Sequence, residues 1–305
     1  MLNRRILRIK AFKVIYSRVE NPLMTVKDAE AELDRSCEAT RDLYLFLLAV
    51  AGPLTEEARN RMEAARSKFN PTPEELNPNL KFIRNELAPL LEEDPDFSKI
   101  IKKKKLSWEN YDVFLRHLYE SVREKDWFKA YLEAPGRSLA EDAALFARIY
   151  EEEFPDNKEL EDILEDISIY WNDELEYALS WCCRTMDALG RGRRWSLPEL
   201  FMSEMPGPEG RESDKAFVYD LVRAAYRNYD VYAKRIADVT PKWDANRICA
   251  TDLALIICGL AEADTFANID YRTTINEFVE ISKFYSTPES RGFVNGVLDK
   301  LINKK

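Results

Sequence analysis

The side chains best placed for chemistry in this chain are arginines, not acids or nucleophiles. Between Leu2 and Val19 stand six basic residues, Arg4, Arg5, Arg8, Lys10, Lys13 and Arg18, and no acid. On a helix, at about 100° per residue, Arg4, Arg5 and Arg8 fall within an arc of roughly 100°. Ile9, Phe12, Ile15 and Tyr16 follow on the same side, so the first turns carry guanidinium groups and the later ones core. Planar guanidinium forks suit phosphates and base edges. A basic amphipathic helix that is merely solvated fits the same residues. At the other end, Thr287-Pro288 predicts a cap followed by proline at the first helical position, which aims the N–H groups of Glu289, Ser290 and Arg291 outward as a phosphate site. Arg291 adds charge there, Phe293 a face for stacking on an unpaired base, and Gly296 room for a neighbouring helix. Between the two, Asp252 lies in the apolar run Ala250–Leu260. It needs a partner, either within the chain or on another protein, and an intrachain hydrogen bond is the simpler reading.

Catalytic groupings are scarce. A single histidine, His117, in the helical pattern VFLRHLYESV, argues against a His-based triad or a multi-His metal site and reads as a surface or satisfied core residue. Cys182-Cys183 lack CxxC spacing, and no GxGxxG or GxxxxGKS loop is present. No catalysis, metal or cofactor is expected. Five cysteines within apolar helical patterns imply reduced, buried thiols. The net charge of -10 excludes a coat of positive charge but not a local basic site. The sequence has no leader pattern, and the longest apolar run, Leu43–Ala51, is about half of a bilayer span. A cytoplasmic protein without a membrane segment is expected.

The elements that must position these residues are helices throughout. Helical periodicity predicts them near 3–19, 25–52, 54–69, 74–93, 107–133, 138–154, 157–189, 213–238, 244–263, 271–285 and 288–303. Breaks fall at Gly52-Pro53, Asn70-Pro71-Thr72-Pro73, Ala134-Pro135-Gly136, Phe154-Pro155 and Thr240-Pro241. Residues 205–213, MPGPEGRES, read as a linker. The fold class is all-α. Fourteen acids stand against two bases between Glu141 and Glu176, most simply a solvated face.

Taken together, the RRxxR opening, the WxxxRIxxxD block at Trp243, Arg247, Ile248 and Asp252, Glu262, and the closing Ile275-Asn276-Glu277 and Phe293-Val294-Asn295-Gly296-Val297-Leu298-Asp299-Lys300 resemble the NusB family of bacterial transcription antitermination factors. The likeness covers about residues 3–18 and 214–303. It implies a non-catalytic helical bundle that binds boxA RNA of ribosomal RNA operons together with the ribosomal protein NusE, within the RNA polymerase antitermination complex. It places RNA contacts on Arg4, Arg5, Arg8, Glu289, Ser290, Arg291 and Phe293, and protein-partner contacts on Tyr16 and Asp252. Family members are typically much shorter. The chain therefore divides into a first helix at 1–19, an inserted helical block at about 20–205 and the closing helices at 206–305. The block carries two basic runs, Ile100-IKKKK-Leu106 and Gly190-RGRRW, read most simply as solvated loops, and otherwise as a wider RNA footprint or a contact with polymerase or ribosome. Gly292 stands where a longer polar chain would grip RNA, which suggests a backbone contact. Two other functions compete: a helical protein scaffold with reduced RNA binding, and an accessory domain like that of ribosomal RNA cytosine methyltransferases, whose catalytic parts are not seen in this sequence.

Overall fold

A computed structural model of the chain describes residues 1–203, 205–207, 212–240 and 248–303. In chain order the helices are α1 (Arg4–Glu20), α2 (Val26–Leu48), α3 (Ala51–Arg66), α4 (Pro73–Leu76), a 3-10 turn (Phe82–Arg84), α5 (Leu87–Glu92), α6 (Pro95–Lys104), α7 (Asp112–Glu124) and α8 (Asp126–Glu133). They continue with α9 (Leu139–Glu152), α10 (Lys158–Ile167), α11 (Leu175–Gly190), α12 (Asp214–Arg227), α13 (Tyr229–Val239), α14 (Ala250–Thr265), α15 (Tyr271–Tyr285) and α16 (Ser290–Ile302). The fold is all-α; the one β feature among the described residues is a parallel bridge between Leu2 and Phe201. No described helix is long and apolar enough to cross a membrane.

Several expected helices are divided. Residues 74–93 hold α4, the 3-10 turn and α5, because Pro78 and Pro89 interrupt or restart the ladder. α6 was not anticipated: Asp94 caps it by accepting from the N–H groups of Asp96 and Phe97, with Pro95 at its first position. Its last turn holds Lys102, Lys103 and Lys104, so the basic run closes a helix, where cations complement the dipole, instead of forming a loop. The stretch expected as 213–238 breaks at Asn228 into α12 and α13. The predicted start of the helix at 244 falls partly outside the described residues, as do Trp243 and Arg247.

Two compact units emerge: Met1–Glu38 with Glu199–Lys305, and Ala39–Pro198. These divisions differ from 19/20 and 205/206 because the first half of α2 packs in the first unit. There Lys10, fully buried, donates to the Ser36 carbonyl at 2.7 Å, Arg223 Nε donates to Glu30 Oε1 at 2.6 Å, and Tyr219 donates to Asp34. At the centre of the first unit lies α14. Every residue from Ala254 to Glu262 is buried, so this helix is enclosed on all sides rather than amphipathic. α1, α12, α15 and α16 pack around it, with Leu7, Ala11, Phe217, Leu221, Phe278, Val294 and Leu298 in the shared core. The second unit is centred on Phe46, which stacks on Trp108 at 4.2 Å, while the Trp108 and Trp171 indoles donate to the carbonyls of Phe46 and Ala39. His117 is a surface residue, 3.0 Å from Glu159. Cys37, Cys182 and Cys258 are buried as expected of thiols in apolar patterns, but Cys249 is exposed, since it lies just before α14 enters the core.

Candidate nucleic-acid interface

α1 begins against electrostatic expectation. Asn3 caps it by accepting from Ile6 N–H, yet no acid stands in the first turn and Arg4, Arg5 and Arg8 crowd the positive end of the dipole. Carboxylates distant in sequence compensate. Arg4 Nε donates to Asp214 Oδ1 at 3.0 Å and its Nη2 to the Glu212 carbonyl at 2.9 Å, while its guanidinium lies 4.6 Å from the Phe217 ring centroid. Arg8 makes a two-pronged pair with Glu262, Nε to Oε2 at 2.7 Å and Nη2 to Oε1 at 2.9 Å. Glu262 is fully buried and also accepts from the Thr274 hydroxyl at 2.7 Å. Arg5 grips Glu277 by Nε at 3.0 Å and Nη2 at 2.7 Å, but its side chain is 56% exposed, against 14% for Arg4 and 6% for Arg8. Of the three arginines expected on RNA, Arg5 alone shows solvent a substantial part of its guanidinium; burial turns Arg8 into a core cation and Arg4 into a clamp on the start of α12.

The closing segment is arranged differently from its sequence expectation. α16 starts at Ser290, not at Pro288; residues 287–289 form a turn in which Ser290 N–H donates to the Thr287 carbonyl. The Ser290 side chain is buried and donates to Asp252 Oδ2 at 2.8 Å, and Ser286 donates to Asp252 Oδ1 at 2.6 Å. Asp252, buried near the start of α14, thus finds its partners within the chain. Two residues expected on two different ligands, Ser290 on RNA and Asp252 on protein, are bonded to each other and tie the α15–α16 turn to α14. Gly296, expected to admit a close neighbour, has nothing within 4 Å of where a Cβ would stand, and neither has Gly292. The close approach occurs instead at Gly259, where a Cβ would lie 2.8 Å from Leu298 Cδ2 and 3.4 Å from Phe278 Cδ2.

Glu289 and Arg291 are exposed and Phe293 is half-buried. The Glu280 carboxyl is held below its usual range, first by the hydrogen bond from Lys283 and further by the nearby charges of Arg291 and Arg5. Farther along α1, Tyr16 is 36% exposed; Phe12 lies 5.3 Å from Tyr285, and the Lys13 ammonium is 5.7 Å from the same ring. Phe284 is 83% exposed, an aromatic face that the apolar period of α15 does not announce. The available signal was its place off the Ile275–Phe278–Val279 stripe, directly after Lys283.

Residues 197–303 match the profile of the NusB family. Three curated relatives, each called transcription antitermination protein NusB, illustrate the likeness. That of Alkaliphilus oremlandii is 31% identical over 94 residues, 31% of this chain and 68% of the relative. That of Thermodesulfovibrio yellowstonii is 35% identical over 98 residues, 32% and 65%. That of a Thermoanaerobacter species is 31% identical over 106 residues, 35% and 71%. The match thus spans about two thirds of these proteins and about a third of this one. No solved structure matches the chain.

Proposed function

This chain belongs to the NusB family, and from that premise we propose that it is an RNA-binding transcription antitermination factor. Its ligand is boxA-type single-stranded RNA of ribosomal RNA operons, bound together with the ribosomal protein NusE in the polymerase antitermination complex. The observation that carries the reading is the family match over residues 197–303, joined to a first helix whose Arg5 side chain is 56% exposed. The exposed Arg5 and Arg291 supply charge for phosphates, the half-buried Phe293 an aromatic face, and the exposed Glu289 belongs to the same closing segment. In this reading Arg4, Arg8 and Ser290 hold the surface in place from beneath, and Asp252 secures the turn before α16. Tyr16, exposed farther along α1, serves the protein partner.

Filter binding of boxA RNA tests this. Arg5→Ala and Arg291→Ala are each expected to weaken binding by about 1–3 kcal/mol, the size of one good contact. Unchanged affinity in the double variant would remove the reading. A second reading, a helical protein scaffold with little RNA affinity, is favoured by the neutralisation of Arg4 and Arg8 within the chain. It predicts capture of the ribosomal partner that is indifferent both to nuclease treatment and to Arg5→Ala.

A further inference from the structure

The second unit carries a basic, aromatic notch that the family likeness does not reach. Along α11, Trp181, Arg184, Thr185 and Ala188 follow the spacing of one helix face. The chain turns at Gly192, whose φ of +75° lies in the left-handed region, and Arg194 and Trp195 come back beside that face. Together they line a notch of about 230 Å³. Its walls are held firmly: the Trp195 indole donates to the Tyr44 hydroxyl at 3.2 Å, which lies 2.9 Å from the Thr185 hydroxyl. The Arg184 guanidinium stands 5.0 Å from the Trp181 ring centroid.

Three features give the notch a ligand class. First, no carboxylate lines it, on a chain of net charge -10. Second, its arginines are not neutralised. The nearby Arg191 pairs with Asp187 at 2.9 Å, but Arg184 and Arg194, which line the notch, form no ion pair among the described residues, and both are exposed. Elsewhere the arginines at 4, 5, 8, 59, 61, 148, 223 and 235 meet carboxylates, whereas Arg66, Arg84, Arg137, Arg227 and Arg291 also form no ion pair among the described residues, so it is the pairing of free arginines with indoles that sets the notch apart. Third, two indoles, those of Trp181 and Trp195, line the notch beside Arg184 and Arg194. A ligand with a flat π face and a negative charge answers all three. Unpaired nucleotides have these properties: bases stack on indoles and guanidinium planes, and phosphates meet arginine.

We propose that the Trp181–Arg184–Arg194–Trp195 notch binds an unpaired nucleotide of single-stranded RNA. The site uses no residue of the interface around Arg5 and Arg291, so it stands or falls separately from that reading. Labelled oligouridine is titrated by fluorescence anisotropy into the full chain, its Arg184→Ala/Arg194→Ala variant and its Arg5→Ala/Arg291→Ala variant. Each variant's fold is checked by circular dichroism. The notch variant is expected to lose about tenfold in affinity and to reduce the salt slope by roughly one phosphate or more. In parallel, 4-thiouridine-substituted oligouridine is crosslinked by light and mapped by mass spectrometry. The expected attachment lies within residues 181–195, in the wild type and in the Arg5→Ala/Arg291→Ala variant alike. Loss of binding in the Arg5→Ala/Arg291→Ala variant alone, with no attachment in 181–195, overturns the notch and leaves the first interface standing. Loss confined to the notch variant, with attachment in 181–195, supports the notch whatever becomes of the first interface. Wild-type affinity in the notch variant overturns it, whether the basic surface is then idle or serves a protein.

Discussion

Arg8 and Glu262 show how a cation that looks like a ligand contact becomes a structural one. Both are removed from water, and the cost of doing so is recovered only while the two-pronged pair and the Thr274 hydrogen bond are intact. Glu262→Ala is therefore expected to destabilise the fold by about 3–5 kcal/mol, read from the urea midpoint, because an uncompensated guanidinium is left buried. Replacing both partners with apolar side chains, Arg8→Met with Glu262→Leu, should cost less than the single change. The neighbouring Arg5–Glu277 pair is more exposed and correspondingly weaker, of order 0–1 kcal/mol. Its pH signature has a definite sign. The hydrogen bond from Arg5 lowers the Glu277 carboxyl below its ordinary value of 4.5, so the folded form binds its proton less readily than the unfolded chain. The pair's contribution is thus present above about pH 4.5 and lost as pH falls through the lower folded value. Urea titrations across that window should show Glu277→Gln losing less stability on acidification than the wild type, and a wild-type-like slope would refute the assignment.

At the scale of elements, glycines separate close packing from open surface. α14 touches α15 and α16 through Gly259, where a methyl group would press on Leu298 and Phe278. Gly259→Ala should cost about 1–3 kcal/mol by overpacking. Gly296→Ala, on the exposed side of α16, should be neutral or stabilising by up to about 1 kcal/mol, since alanine gains helix propensity and meets nothing. Thermal melts of the two variants should move in opposite directions or, at the least, differ clearly in size. The same contrast answers why the last helix tolerates Asn295-Gly296: both residues face solvent, so no core contact is sacrificed there. α1 illustrates a second rule, that a helix can begin with three cations provided that acids from α12, α14 and α15 surround its first turns.

For the whole molecule, an acidic body with a few unneutralised arginines should bind RNA with a shallow salt dependence. Six cations crowd the first helix, but Arg8 and Lys10 are buried and Arg4 is clamped, so few remain to displace counterions. Each phosphate contacted on a single strand contributes about -0.7 to the slope of log K against log salt. The slope measured with boxA RNA should thus correspond to a handful of phosphates. A slope demanding all six cations of α1 would mean that the buried pairs open on binding.

The sequence by itself determined the helical class, since apolar periodicity and proline breaks act over a few residues, and it marked α14 as a deeply apolar helix and the opening helix as basic. Division of the long predicted helices was less legible, because caps such as Asn157 or the stop at Asn228 compete with an uninterrupted apolar period. Tertiary structure alone decided which charges are available. Arg8 meets Glu262 across 254 positions and Arg5 meets Glu277 across 272, and Ser290 reaches Asp252 across 38. Charge is a property of the side chain and is written in the sequence, but its desolvation and pairing are set by distance in space, which only the packed core fixes.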